Sequence, residues 1–491
     1  MKKLMRTLAA LLALIIAWGA VPAMAEEMHA GRTQYRAAVV QLDAAAYQIR
    51  CEIEYTNHTG RELGSVLFTM YANQLRRESS LVALPEQLEA AFPDGYAPGG
   101  VEFGQITVNG EPADWGMQGE NELFVRVGCE LQPGETAVFG FDYQLLLISS
   151  RSDIGFSEKD IRLTGFLPGV AVFDGDEFVV NDASPIDRYA YHEPADYVID
   201  MTIGSDCVPA ASGACTAGEQ AGGYRAWRVE AQNVREMAIV LSKEYRERTV
   251  TSAMGTQLRL LGWDNSGVKR AADTAAKAID LLEGWFGKAP YDQITLVQTD
   301  GVNDGSVYGG MAWIPAENYA GKNKLVLEHD VVFRLAQQYF GMGAGNDPVQ
   351  APWLSVSVPE MVYYMYIDAL EGRDNMLGQL NEDCLSALIM TLPGGYTVDS
   401  SLTAFTGRDD YEIVVQHRGA AAMYQIREAM GNENFTAGLR RFYEQYNGSF
   451  AGLREFVGAF NEACGREYDL LIVDWLYTID DYQGVIMDWF E

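Results

Sequence analysis

The chain of 491 residues has five histidines, His29, His58, His192, His329 and His417, with which to bind a metal or move protons. Two imidazoles one turn apart on a helix can share one metal ion, and no pair here has that spacing. His329 opens "HDVVF", which has the form of a zinc-binding helix whose second imidazole is missing. Residues 300–305, "DGVNDG", are acidic and glycine-punctuated, which invites comparison with a calcium loop. An EF-hand would put oxygen donors where Val302 and Met311 stand, so a turn-rich loop is expected instead. The six cysteines, at 51, 129, 207, 215, 384 and 464, include no Cys-x-x-Cys spacing, which argues against a structural zinc knuckle or a thioredoxin-type site.

The elements that must position these residues change character along the chain. From residue 35 to about 245, short alternating segments such as "AYQIRCEIEYTN" and "GVEFGQITVNGEPA" are broken by turn residues and predict antiparallel strands in a sandwich. Beyond 248 the period shifts. "GVKRAADTAAKAIDLLEGWFG" predicts a helix ending at Gly287, "YDQITLVQTD" a strand, and "GGMAWIPAEN" an edge strand after a glycine-rich loop. "VVFRLAQQYF" is an amphipathic helix, and after the break "GMGAGNDPVQAPWL" a second helix follows; from Tyr366 onward nearly everything reads as helical. Hydrophobic residues at 48% and charged residues at 21% are those of an ordinary globular protein, and the length exceeds one core, so several domains are expected.

Residues 1–25 carry Lys2, Lys3 and Arg6, an apolar run and Ala23-Met24-Ala25, the pattern of a cleaved secretory signal; retention as a membrane anchor is the alternative. No later stretch is apolar enough to span a membrane. Cleavage removes three cations and no anions, moving the net charge from −32 to −35. That field disfavours nucleic acid and anionic lipid as partners. Export permits disulfides, with Cys207–Cys215, Cys51–Cys129 and Cys384–Cys464 as the pairings that stay local or within one domain.

The order of these pieces, a sandwich, Gly-Gly-Met on a strand, a helix ending in Tyr339-Phe340, then Gly345-Asn346-Asp347 and Pro352-Trp353-Leu354, resembles the gluzincin aminopeptidases. This is the family of membrane alanyl aminopeptidase and leukotriene hydrolase. The resemblance covers most of the chain. It implies an α+β multidomain fold: an antiparallel β-sandwich over residues 26–247, a thermolysin-like (zincin) α/β domain over 248–370 and a helical domain over 371–491. In the family, His-Glu-x-x-His and a later Glu hold zinc, with the first Glu as general base. Anchored on the quoted motifs, the ligand positions fall on Phe333, Gln337 and Val356 and the base on Arg334; eighteen residues separate Gln337 from Val356, as the family spacing requires. The Glu that holds the substrate amine falls on Ala312, and the oxyanion tyrosine on Gln416 in "QHRG".

Phe333 and Val356 offer no donor atoms, Gln337 offers only a neutral amide oxygen, and Arg334 remains a cation that cannot abstract a proton. The resemblance therefore implies an exported aminopeptidase homologue with neither zinc nor catalysis. Gly309, Gly310 and Met311 are candidates to bind peptide backbone, and Arg334 and Glu360 are expected to form an ion pair. Peptides or an envelope protein are the expected partners. A zinc aminopeptidase with a rearranged site and a structural cell-envelope module are the alternatives.

Overall fold

The computed structural model describes residues 31–477, except 78–82, 303–305, 322–323, 390–391 and 393. The segment on which the export expectation rests lies outside the described residues, as does part of the loop at 300–305.

Alternation builds the first layers. The strand Ala46–Thr56 buries Tyr47, Ile49, Cys51, Ile53 and Tyr55 and turns the intervening residues outward. It lies in an eight-stranded sheet, flanked by Gln34–Gln41 and Thr136–Leu146. A four-stranded sheet containing Leu63–Thr69 and Phe124–Leu131 packs on it, with Phe68 edge-on to Phe139 and Phe141 at 5.1 and 5.0 Å. The sandwich departs from the antiparallel expectation where Gln34–Gln41 runs parallel to Ala195–Gly204, with Gln34 opposite Asp196. A parallel pair needs a long crossover, and here about 150 residues intervene.

The six thiols are free, so none of the pairings that export would permit is formed. Each faces a neighbour of its own. Cys51 is buried on the eight-stranded sheet whereas Cys129 points at the Leu63 carbonyl, and Cys384 lies by Tyr364 whereas Cys464 lies by the Asn434 carbonyl. Cys207 and Cys215 turn to Asp206 and to the Gly213 carbonyl respectively.

The next unit is a five-stranded sheet in the order Arg246–Thr251, Gln257–Gly262, Gln293–Thr299, Met311–Pro315, Val307–Tyr308. Helix α1 (Asn265–Phe286) starts on Asp264, whose side chain accepts from the Gly267 N–H at 2.8 Å, and stops at Gly287, where φ is 96°. Met311–Pro315 was expected at the sheet edge, but Gly310, with φ of 70°, turns Val307–Tyr308 back over it. Helices α2 (Lys324–Tyr339) and α3 (Ser357–Glu371) follow, then α4 (Arg373–Ile389), a π-helical turn at Glu412–Arg418, and α5 (Gly419–Met430). Helices α6 (Asn432–Tyr446), α7 (Leu453–Cys464) and α8 (Asp469–Tyr477) complete the helical region. No helix among the described residues is long and apolar enough to cross a membrane.

Arg235 joins the parts. Its side chain is buried, donates to the backbone carbonyls of His192 (3.3 Å), Met342 (3.0 Å) and Ser449 (2.7 Å), and lies 4.2 Å from the Phe450 ring centre. One guanidinium thus satisfies carbonyls from the sandwich, the α2–α3 connection and the helical region.

Candidate functional site

Leu325, His329, Phe333 and Gln337 stand four residues apart on α2 and so share one face. Along it, exposure falls from 49% at Leu325 to 5% at Phe333 and Gln337. The 3₁₀ turn Pro352–Leu354 sets the start of α3; Trp353 is fully buried and its indole N–H donates to Asp399 at 2.7 Å.

Gln337 reaches across to that turn, its amide nitrogen donating to the Ser355 carbonyl at 2.8 Å, one residue before Val356. Phe333 and Val356 are each 5% exposed. The Gln337 amide oxygen accepts from Arg334 Nη1 at 2.7 Å, and the guanidinium lies 5.0 Å from the Phe333 ring centre.

The expected Arg334–Glu360 pair is replaced by another. His329 Nε2 lies 3.0 and 3.1 Å from the two Glu360 oxygens, and Gln416 donates to the same carboxylate at 3.0 Å. The imidazole stacks on Phe333 (5.4 Å, 12°) and meets the Tyr363 ring edge-on at 4.7 Å. Arg334, one residue past Phe333, is rotated about 100° around the helix and turns to Gln337 instead. His329, read from the sequence only as half of a zinc motif, is the partner of Glu360 that spacing along the chain does not reveal. Its signal was its position one turn before Phe333, but the partner lies 31 residues away on α3.

Electrostatics follow this geometry. Burial opposes charging His329, but the Glu360 carboxylate and hydrogen bonds to Asp330 and Glu360 outweigh it and raise the pKa to about 10. Burial likewise pushes Glu360 up, and His329, His417 and Gln416 outweigh it, holding the carboxyl below its ordinary range. Gln416 reaches Glu360 from the π-helical turn, which α3 approaches closely: Ser357 Oγ donates to the Val415 carbonyl at 2.6 Å. A Cβ on Gly419 would lie 2.1 Å from Ser357 Oγ, so a glycine is required there.

Zinc does not fit this set of side chains. Phe333 and Val356 have no donors, and the Gln337 oxygen already accepts from a guanidinium that would repel a divalent ion. Among the described residues, no group of three or more His, Cys, Asp or Glu side chains lies together to hold a metal.

Ala312 lies fully buried in its strand and offers nothing to an amine. The peptide-binding candidates Gly309, Gly310 and Met311 are buried, and the backbone of Gly310 and Met311 is engaged within the chain. The Gly310 N–H donates to Gln338 at 2.9 Å, Gln338 donates to the Tyr308 and Met311 carbonyls at 3.2 Å, and the Gly310 carbonyl accepts from Thr295 at 2.9 Å. A peptide strand pairing here must first displace Gln338.

No protein-family profile matches the chain. A stretch of 172 residues is 26% identical to Aminopeptidase N of Lactococcus lactis subsp. lactis, covering 33% of this chain and 19% of that protein. The match therefore spans about a fifth of the length of that relative. Solved structures agree over far more of the chain. The M1 zinc metallopeptidase of Deinococcus radiodurans superposes with a TM-score of 0.64 at 14% identity, over 91% of this chain and 95% of that one. A two-domain M1 zinc metallopeptidase mutant bound to L-arginine gives 0.66 at 14% identity, over 92% and 96%.

Proposed function

Taking the M1 zinc metallopeptidase fold of this chain as the premise, we propose that it is an exported peptidase homologue that does not hydrolyse peptides and acts by binding. One observation carries the reading: the only heteroatom-bearing side chain among the three supposed ligand positions, Gln337, gives its oxygen to Arg334 and its nitrogen to Ser355. Arg334 at the position of the base cannot take a proton from water, and Ala312 cannot hold an ammonium group. No hydrolytic step can be assigned to these residues.

The occupied backbone at Gly310 weighs against strand-type capture of a peptide there and favours a protein partner or a ligand held by the outer cleft wall. Hydrolysis of aminoacyl-anilides, with zinc added and with chelator, tests the inactive reading. Turnover no faster than buffer in both conditions is expected; chelator-sensitive turnover that follows the protein through purification would favour the rearranged zinc enzyme instead. Calorimetry with short peptides bearing free amino termini is expected to give no heat of binding, because the amine anchor is missing.

A further inference from the structure

Resting on the reading that zinc is absent, we propose that His329, Glu360 and Gln416 form a protein-borne lock in the mechanical place of a metal: an imidazolium on α2 gripped by a carboxylate on α3, itself held by the π-helical turn. A metal in a zincin site ties the two helices that carry its ligands. Here the tie between α2 and α3 is made by the His329 contacts at 3.0 and 3.1 Å to Glu360, Gln337 on Ser355 ties α2 to the turn before α3, and Gln416 at 3.0 Å brings in a further element. The Glu360 side chain is 2% exposed and that of His329 25%, so the carboxylate sits deep and needs its cation, while the imidazole lies nearer the surface.

The surroundings hold the imidazole in one orientation. Phe333 lies under its face, Tyr363 meets it edge-on, and Nδ1 lies 3.6 Å from Asp330 Oδ1, whose other oxygen accepts from Asn318 at 2.9 Å. Phe333 therefore has a use beyond filling a ligand position, as the platform on which the replacement cation rests. Other titratable groups near the pair are Glu328 on α2, which accepts from the Tyr366 hydroxyl at 3.0 Å, and His417 on the π-helical turn, which acts on Glu360. A fixed internal cation of this kind orders the two helices whether or not any metal is present.

The test uses the full chain, dialysed against chelator, in urea unfolding at pH 7.5, with His329→Gln, Glu360→Gln and the double variant. His329→Gln strands the buried Glu360 carboxylate and is expected to raise the unfolding equilibrium constant roughly a hundredfold or more, and Glu360→Gln, which leaves a part-exposed imidazole free to shed its proton, by less. The double variant is expected to lose at least about tenfold less than the product of the two. Independent single effects that simply multiply would overturn the lock. If a single variant does not fold, the wild-type imidazole decides by NMR: a protonated His329 ring at pH 8 supports the lock and a neutral ring refutes it. Stabilisation of the wild type by added zinc would instead overturn the reading of a metal-free centre, so the two failures are distinguishable.

Discussion

Restoring the supposed ligands in one chain, with Phe333→His, Gln337→His and Val356→Glu, should create a zinc-dependent fold. Without metal the changes are costly. Val356 is 5% exposed, so a carboxylate there costs several kcal/mol to bury, on the order of 3. Replacing Phe333 gives up roughly 2 kcal/mol of apolar burial, and removing the Gln337 bonds to Ser355 and Arg334 costs about 1 kcal/mol each. The sum, roughly 7 kcal/mol, rivals the whole stability of many domains. Zinc at a thousand times its dissociation constant returns about 4 kcal/mol. Thermal unfolding with and without zinc should therefore show a variant that melts far below the wild type, or does not fold, in chelator and recovers much of the difference on zinc addition. A variant that melts identically with and without zinc would refute the alignment of these three positions.

Two other predictions address the scaffold. Arg235→Met leaves buried carbonyls of three elements without their donor and should lower stability by about 3 to 5 kcal/mol, measured by urea unfolding; an unchanged midpoint would contradict its role as a staple. Burial raises the Glu236 carboxyl to about 7, against the opposing charge of Arg188 and a backbone bond from Gly165, so the folded chain loses stability as pH rises from the ordinary carboxyl range through 7. Glu236→Gln should therefore stabilise the protein at pH 8 by up to roughly 3 kcal/mol and do little at pH 4, read from melting curves at the two pH values.

The parts of this molecule that were legible in its sequence are those fixed by local periodicity and turn chemistry. Alternation along Ala46–Thr56, the helix that ends at Gly287 and the paired helices around Pro352-Trp353-Leu354 all follow from neighbours within a turn or two. The parallel pairing of Gln34–Gln41 with Ala195–Gly204 was hidden because the alternation pattern does not reveal strand direction. Glu360 was matched with the wrong cation for a related reason. Counting along the chain placed Arg334 near it, but the crossing of α2 and α3, which brings His329 to the carboxylate, is set by packing. The glycines at 309 and 310 illustrate a third limit: their sequence suggests an open strand, whereas Gln338, from a helix, already occupies the Gly310 N–H and the carbonyls of Tyr308 and Met311 on either side.

The lock also has a pH signature. The folded-state pKa of His329 lies above its ordinary value, so its stabilisation is complete below the ordinary histidine range and is lost as pH rises through about 10. Glu360 is shifted down, so its contribution is present above the ordinary glutamate range and is lost as pH falls through its lowered pKa.

The central claim, that the centre of an M1 peptidase fold here is a packed and ion-paired core rather than a metal site, is tested most directly by counting metal in the purified wild-type protein. Elemental analysis after exposure to excess zinc and gel filtration should find far less than one zinc per chain. Close to one zinc per chain, lost on substitution of His329 or Glu360, would contradict the account.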